Sequence, residues 1–109
     1  MSLLFGNKGE KKATDFLKKK GYKLLDKNYR CKYGEIDIIM EIGDILVFIE
    51  VKARSSEKYG LGYESVTTSK QEKLLKTAQT YMSENGERAA RFDVVSIDGD
   101  KITHIENAF

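Results

Sequence analysis

Gly34-Glu35-Ile36-Asp37-Ile38-Ile39-Met40-Glu41-Ile42-Gly43-Asp44-Ile45-Leu46-Val47-Phe48-Ile49-Glu50-Val51-Lys52-Ala53-Arg54 is the stretch on which the reading of this chain turns. β-Branched and aromatic residues fill both sides of Gly43-Asp44, a dipeptide suited to a tight turn, so the segment reads as a hairpin. A period of two puts Ile36, Ile38, Met40 and Ile42 on one face of the first strand and Glu35, Asp37, Ile39 and Glu41 on the other. In the second strand Ile45, Val47, Ile49, Val51 and Ala53 oppose Leu46, Phe48, Glu50, Lys52 and Arg54. That strand is apolar on both faces over its first half, which places it at the centre of a sheet covered on both sides.

The turn also decides which residues meet. Asp37 lies six residues before Gly43 and Glu50 six after Asp44, which makes them cross-strand neighbours. Like charges directly opposed cost up to about 1 kcal/mol, and more where water is scarce. A divalent cation removes the conflict, because Mg²⁺ or Mn²⁺ takes one or two carboxylates, several waters and a phosphate oxygen. Lys52 shares the face of Glu50, where its ammonium can orient an attacking water or offset charge growing at phosphorus. The plainer alternative is a cross-strand salt-bridge cluster in which Lys52 offsets the two acids.

Upstream, Asn7-Lys8-Gly9-Glu10 offers a capping box, and Ala13, Phe16 and Leu17 recur at helical spacing, predicting a helix over 8–20 stopped by Gly21. Glu10 falls beside Leu17 on the helical wheel and faces partly inward. It can support a metal there, or simply cap the helix. A strand is expected from Tyr22 to Tyr29 before the central hairpin.

Downstream, Ser55 to Val66, with Gly60 and Gly62, reads as a loop. Thr67-Thr68-Ser69 supply N-caps for a helix carrying Leu74, Leu75, Ala78, Tyr81 and Met82 and ending near Asn85-Gly86. Lys70 and Gln71 fall in its first turn, where they can hold a phosphate or the attacking water, or serve only as capping and surface residues. Arg91 to Ile97 and Lys101 to Ile105 flank Asp98-Gly99-Asp100, a second hairpin. The predicted order is α-β-β-β-α-β-β, an α/β domain whose central mixed sheet is flanked by the two helices.

Length and composition bound the rest. At 109 residues the chain is expected to form one domain with one core. No apolar run approaches the roughly 20 residues of a membrane span, and no export signal is visible, so a soluble, cytoplasmic protein without a membrane partner is expected. Cys31 and His104 are the single Cys and His. They leave no disulfide and no structural zinc site, and His104 reads as a surface residue. Residues 1–32 carry ten Lys and Arg against three acids, a net of +7, whereas the remainder carries nine against fourteen. A basic region beside carboxylates suits a protein that attracts a polyanion, although lysines on a helix are also ordinary solubilisers.

An acid on the first helix, Gly34-Glu35-Ile36-Asp37, and Phe48-Ile49-Glu50-Val51-Lys52-Ala53-Arg54 together resemble the PD-(D/E)XK nuclease superfamily, the restriction-endonuclease-like fold that includes archaeal Holliday junction resolvases. More closely, the chain is similar to the YraN family of small bacterial endonuclease-fold proteins. Gly9-Glu10, Gly21-Tyr22, Asn28 to Arg30, Lys70-Gln71 and Arg91-Phe92-Asp93-Val94-Val95 extend the likeness along nearly the whole chain. The resemblance implies that Asp37 and Glu50 bind the metal and that Lys52 assists the water. It further implies that Glu10 supports the site and that Lys70 or Gln71 helps it.

The expected function is therefore metal-dependent hydrolysis of nucleic-acid phosphodiesters, of DNA and branched DNA in particular. Catalysis would rest on Asp37, Glu50, Lys52, Glu10 and Gln71, with Mg²⁺ or Mn²⁺ on Asp37, Glu50 and Glu10. Lys8, Lys11, Lys12, Arg54 and Lys70 would hold the nucleic acid, and the resolvase likeness makes a homodimer one expected assembly. The rival expectation is an inactive nucleic-acid-binding module that keeps the nuclease fold.

Overall fold

The computed structural model describes the backbone of residues 2–54 and 67–109, with side chains of residues 9–53 and 67–109. The expected loop of residues 55–66, with Gly60 and Gly62, lies outside the described residues. So do the side chains of Lys8 and Arg54.

Seven elements follow in the predicted order: α1 (Ser2–Lys19), β1 (Lys23–Cys31), β2 (Gly34–Ile42), β3 (Ile45–Arg54), α2 (Thr68–Asn85), β4 (Ala90–Asp98) and β5 (Lys101–Ile105). The sheet runs β1-β2-β3-β4-β5, antiparallel except for the parallel β3–β4 pair that α2 connects. β3 is its central strand, and both faces are covered. Ala13 and Leu17 of α1 pack with Ile38, Met40, Val47, Ile49, Val95 and Ile97 on one side. Leu74, Ala78 and Tyr81 of α2 pack with Ile39, Leu46, Phe48 and Val94 on the other. The expected α/β restriction-endonuclease-like core, a mixed sheet between two helices, is the one found. No helix among the described residues is long and apolar enough to cross a membrane.

Three expectations are corrected and one is narrowed. α1 begins at Ser2 rather than after Asn7, so Asn7 and Glu10 sit inside the helix and form no capping box. A cap is worth about 1 kcal/mol, less than the run of helical hydrogen bonds that continues through it. Of the three expected N-caps of α2, Thr67 is the one found: its side chain accepts from the Lys70 amide at 3.2 Å. Ile36 joins the α2 side of the core instead of sharing the face of Ile38 and Met40. Asn28 in the paired strand is left-handed (φ 54), which interrupts the alternation just where Tyr29 pairs with Ile36 and turns both toward α2. Finally, His104 is not a surface residue: its side chain is 3% exposed. It pairs across from Val95 and so takes the face that α1 covers.

Two glycines set how closely the helices approach. A Cβ on Gly9 would stand 3.1 Å from the Ala53 Cβ, so the bare backbone lets α1 lie against the end of β3. Gly34 (φ 155) opens β2 in a conformation that side chains rarely adopt, and a Cβ there would stand 3.4 Å from Thr77 Oγ1 of α2.

Candidate active site

The β2–β3 register is the one counted outward from the turn: Ile38 faces Ile49, Ile39 faces Phe48 and Ile42 faces Ile45. One step further along that register Asp37 comes opposite Glu50. Both project from the α2 side of the sheet, past the apolar layer of Ile39, Leu46 and Phe48. They emerge in a cleft of about 500 Å³ lined by Gly34, Glu35, Asp37, Glu50, Thr67, Ser69, Lys70, Lys73 and Leu74.

Within the cleft the two carboxyls are in direct contact. Asp37 Oδ2 accepts from the Val51 amide at 2.8 Å, which anchors the side chain across the strands. Burial, then the hydrogen bond and charge of Glu50, push the Asp37 carboxyl up to about 8. Burial would raise Glu50 as well, but its hydrogen bonds to Asp37 and Lys70 outweigh that and hold it below the usual carboxylate range. The pair thus holds one proton, on Asp37, and one negative charge, on Glu50.

Two ammonium groups face that charge. Lys70 Nζ, from the first turn of α2, stands 2.6 Å from Glu50 Oε2. Despite burial, which disfavours its charge, contacts with Glu50 and Lys52 raise Lys70. Lys52 moves the opposite way, pushed down by burial and by Lys70 beside it. One lysine of the pair is held charged and the other is eased toward the neutral form.

Glu10 approaches from α1 through the close Gly9–Ala53 contact. Its residue is 9% exposed, and its Oε1 is buried without a hydrogen-bond partner. Burial raises its carboxyl against the pull of Asn28, and its charge reaches Glu50 and Asp37. With the capping role gone, a buried oxygen without a partner calls for another explanation. Among the described residues, however, no group of three or more His, Cys, Asp or Glu is gathered closely enough to hold an ion. Asp37 and Glu50 are the two carboxyls brought into contact, and Glu10 acts on them through its charge.

The remaining expected residues are dispersed. Gln71 lines an apolar hollow with Thr68, Glu72, Leu75, Phe92 and Phe109, and it is Lys70 that reaches Glu50. Lys11 is paired with Asp15 at 3.0 Å on the surface of α1. Lys12 borders a separate hollow with Phe16, Lys19 and Ile102. What the sequence reading missed is Asn28, whose left-handed backbone sits in β1 between the residues paired with Ile38 and Ile36, alongside Asp37. An Asn amid strand-forming residues was the available signal.

Residues 9–97 match the uncharacterised protein family UPF0102. The chain belongs to that family. The expected likeness to the YraN family, which UPF0102 comprises, is thereby borne out. A UPF0102 protein of Sulfurihydrogenibium sp. (strain YO3AOP1) is 51% identical over 92% of this chain and 89% of its own length. One from Thermodesulfovibrio yellowstonii is 52% identical over 95% of this chain and 94% of its own length. One from Pelotomaculum thermopropionicum is 41% identical over 97% and 95%. The UPF0102 match spans α1 from Gly9 through β4 to Ile97, and so includes Glu10, Asp37, Glu50, Lys52 and Lys70.

Proposed function

We propose that this UPF0102 chain is a metal-dependent nuclease of the cytoplasm that hydrolyses phosphodiester bonds in DNA, branched DNA included. The observation that carries the reading is the Asp37–Glu50 pair: two carboxyls, built into a central hairpin and buried so closely that they keep a proton between them. Stability alone does not favour that arrangement. The donor set fits Mg²⁺ or Mn²⁺, which needs few carboxylates and keeps waters and a phosphate oxygen for its remaining positions. Asp37 and Glu50 would hold the ion, with Glu10 acting on them at one remove. When bound, it would neutralise the phosphate and make water more acidic.

The chain's own residues supply the rest. Thr67 and Ser69 bring the first turn of α2 to the cleft, where a helix N-terminus attracts a phosphate. Lys70 stays charged beside it, suited to the phosphate oxygens. Lys52, whose charge burial and the neighbouring Lys70 disfavour, would orient the attacking water and take up its proton. Lys8, Lys11, Lys12 and Arg54 add positive field from α1 and the end of β3. A homodimer joined at the outer edge of β5 would present two such clefts to a branched substrate.

The test is cleavage of labelled single-stranded, duplex and four-way-junction DNA with Mg²⁺ or Mn²⁺, beside an Asp37→Ala, Glu50→Ala double variant. Product lost in the variant is the expected result, and full activity in it would overturn the assignment. The Lys70–Glu50 contact favours one rival, because an ammonium already offsets the pair's charge: a binding module without turnover. It predicts binding that survives chelation and no product at any metal concentration.

A further inference from the structure

Tyr33 is a large side chain with no place in either core. It sits with Lys32 in the turn between β1 and β2, 38% exposed, and belongs to neither cluster of packed apolar residues. Nevertheless it is firmly mounted. Its amide donates to Cys31 Sγ at 3.4 Å, Cys31 pairs with Gly34, and Gly34 lies beside Thr77 and Lys73 of α2, with room for little more than a methyl group between. Two ammonium groups stand over its ring, Lys32 Nζ at 5.2 Å and Lys76 Nζ at 5.7 Å from the centroid. Leu25 and Leu75, the other large apolar residues exposed among those described, are aliphatic.

The position of this ring matters as much as its exposure. Gly34, the next residue, and Lys73, one helical turn before Lys76, both line the Asp37–Glu50 cleft. On its other side Tyr33 lines a shallow polar hollow with Lys76, Gln79, Thr80 and Ser83. The ring therefore stands on the ridge between the cleft and an open path along α2. Glu35, the acid nearest along the sequence, is paired with Arg30 at 2.8 Å, while Lys32 and Lys76 stand over the ring.

We infer that Tyr33 is a stacking platform for an unpaired base, and that the strand entering or leaving the cleft on this side is single-stranded. An exposed aromatic ring among lysines meets both needs of a single strand, since every base has a face to stack and every phosphate a charge to neutralise. The bases of a duplex already stack on one another and offer the ring no free face. Lys32 and Lys76 do not block the ring: an exposed cation–π contact is weaker than base stacking, and both side chains are long enough to swing toward phosphates. Lys73 would carry the backbone onward into the cleft. This inference names the substrate class of the proposed nuclease site and rests on nucleic acid occupying that cleft, but it does not require cleavage.

The experiment measures binding with metal chelated, so that nothing is cut. Fluorescence anisotropy compares a labelled 15-nucleotide thymidine strand with a blunt duplex of equal length, for the native chain, Tyr33→Ala and Tyr33→Phe. Tyr33→Ala should weaken single-strand binding about tenfold and leave duplex binding within twofold, with Tyr33→Phe close to native. The chain has no tryptophan, so Tyr33→Trp supplies a sole reporter at the site. Its emission should be quenched on adding the single strand and not on adding the duplex. Unchanged single-strand affinity in Tyr33→Ala, an equal loss on both ligands, or no quenching would overturn this inference while leaving the nuclease reading intact. Tyr33-dependent binding in a chain that never cleaves would uphold it and sink the nuclease instead. No binding of either ligand by the native chain would overturn both.

Discussion

Lys70 Nζ lies 2.6 Å from Glu50 Oε2, joining the first turn of α2 to the middle of the sheet where Glu50 meets Asp37. Glu50 is 8% exposed at its side chain and Lys70 39%, so water screens one end of the contact only. Lys70→Met should therefore cost about 1 kcal/mol, between the value of an exposed pair and that of a fully buried one. If the proposed divalent cation binds Glu50, it competes with the ammonium for the same carboxylate, and the variant should also gain more from Mg²⁺ or Mn²⁺. Thermal melts with chelator and with excess metal read both effects. A metal-induced rise in Tm no larger than the native chain's would show that the two cations do not share Glu50.

The proton on Asp37 gives the metal-free protein a distinctive pH dependence. Its carboxyl is raised from an ordinary value of 3.8 to about 8, so between those values the folded chain keeps a proton that the unfolded chain has lost. This contribution to stability is complete below pH 3.8 and is lost as pH rises toward 8. Glu50, lowered by Asp37 and Lys70, acts in the opposite sense, but only in the acid range below its ordinary 4.5. Asp37→Asn mimics the protonated acid, so urea unfolding with chelator at pH 5, 7 and 9 should show a decline for the native chain that the variant largely lacks. Parallel profiles would contradict a proton held on Asp37. If Asp37 holds the proposed ion, stabilisation by added metal should grow over the same interval, because the ion would have to displace that proton.

On the opposite face of the sheet, Asp93 has no exposure and accepts from His104 Nε2 at 2.7 Å, Arg91 Nε at 3.0 Å and the Asn107 amide at 3.0 Å. Burial would raise its carboxyl, but these donors hold it below the usual carboxylate range. The signs follow: its contribution is present above pH 3.8 and disappears as pH falls through its lower folded value, which makes this cluster part of the acid limb of unfolding. Asp93→Ala leaves three donors without their acceptor and should cost about 3–5 kcal/mol. Urea unfolding measures that loss. The proposed cleavage, per folded molecule, should be unchanged, since the cluster lies on the α1 side of the sheet and the cleft on the other. A loss below about 1 kcal/mol would mean the donors find other partners.

What the sequence disclosed and what it withheld divide along a physical line. The Asp37–Glu50 opposition was legible because a two-residue turn fixes register and a strand's period of two fixes the face, both within twenty residues. Element order and the double cover of β3 were legible for the same reason. The Lys70–Glu50 contact was not, since it depends on where α2 settles after residues 55–66. The burial of His104 was hidden because alternation says only that Val95 and His104 share a face, not that α1 covers it. Capping stayed open as one of two roles for Glu10 because local preference could not reveal that α1 starts at Ser2.

The Gly9–Ala53 contact offers a test in which the sign of an effect reverses. Alanine is favoured over glycine inside a helix by about 1 kcal/mol, so Gly9→Ala ought to stabilise α1. Its Cβ, however, would stand 3.1 Å from the Ala53 Cβ, tighter than most packed carbon atoms, so α1 and β3 must part by a few tenths of an ångström. Gly9→Ala is therefore expected to be neutral or destabilising in the native chain and stabilising in an Ala53→Gly background, where the opposing methyl is gone. Unfolding free energies around the double-mutant cycle give the coupling directly, with about 1 kcal/mol expected. Additive effects would mean that α1 can withdraw without cost, and that the place of Glu10 behind Asp37 and Glu50 is not set by this contact.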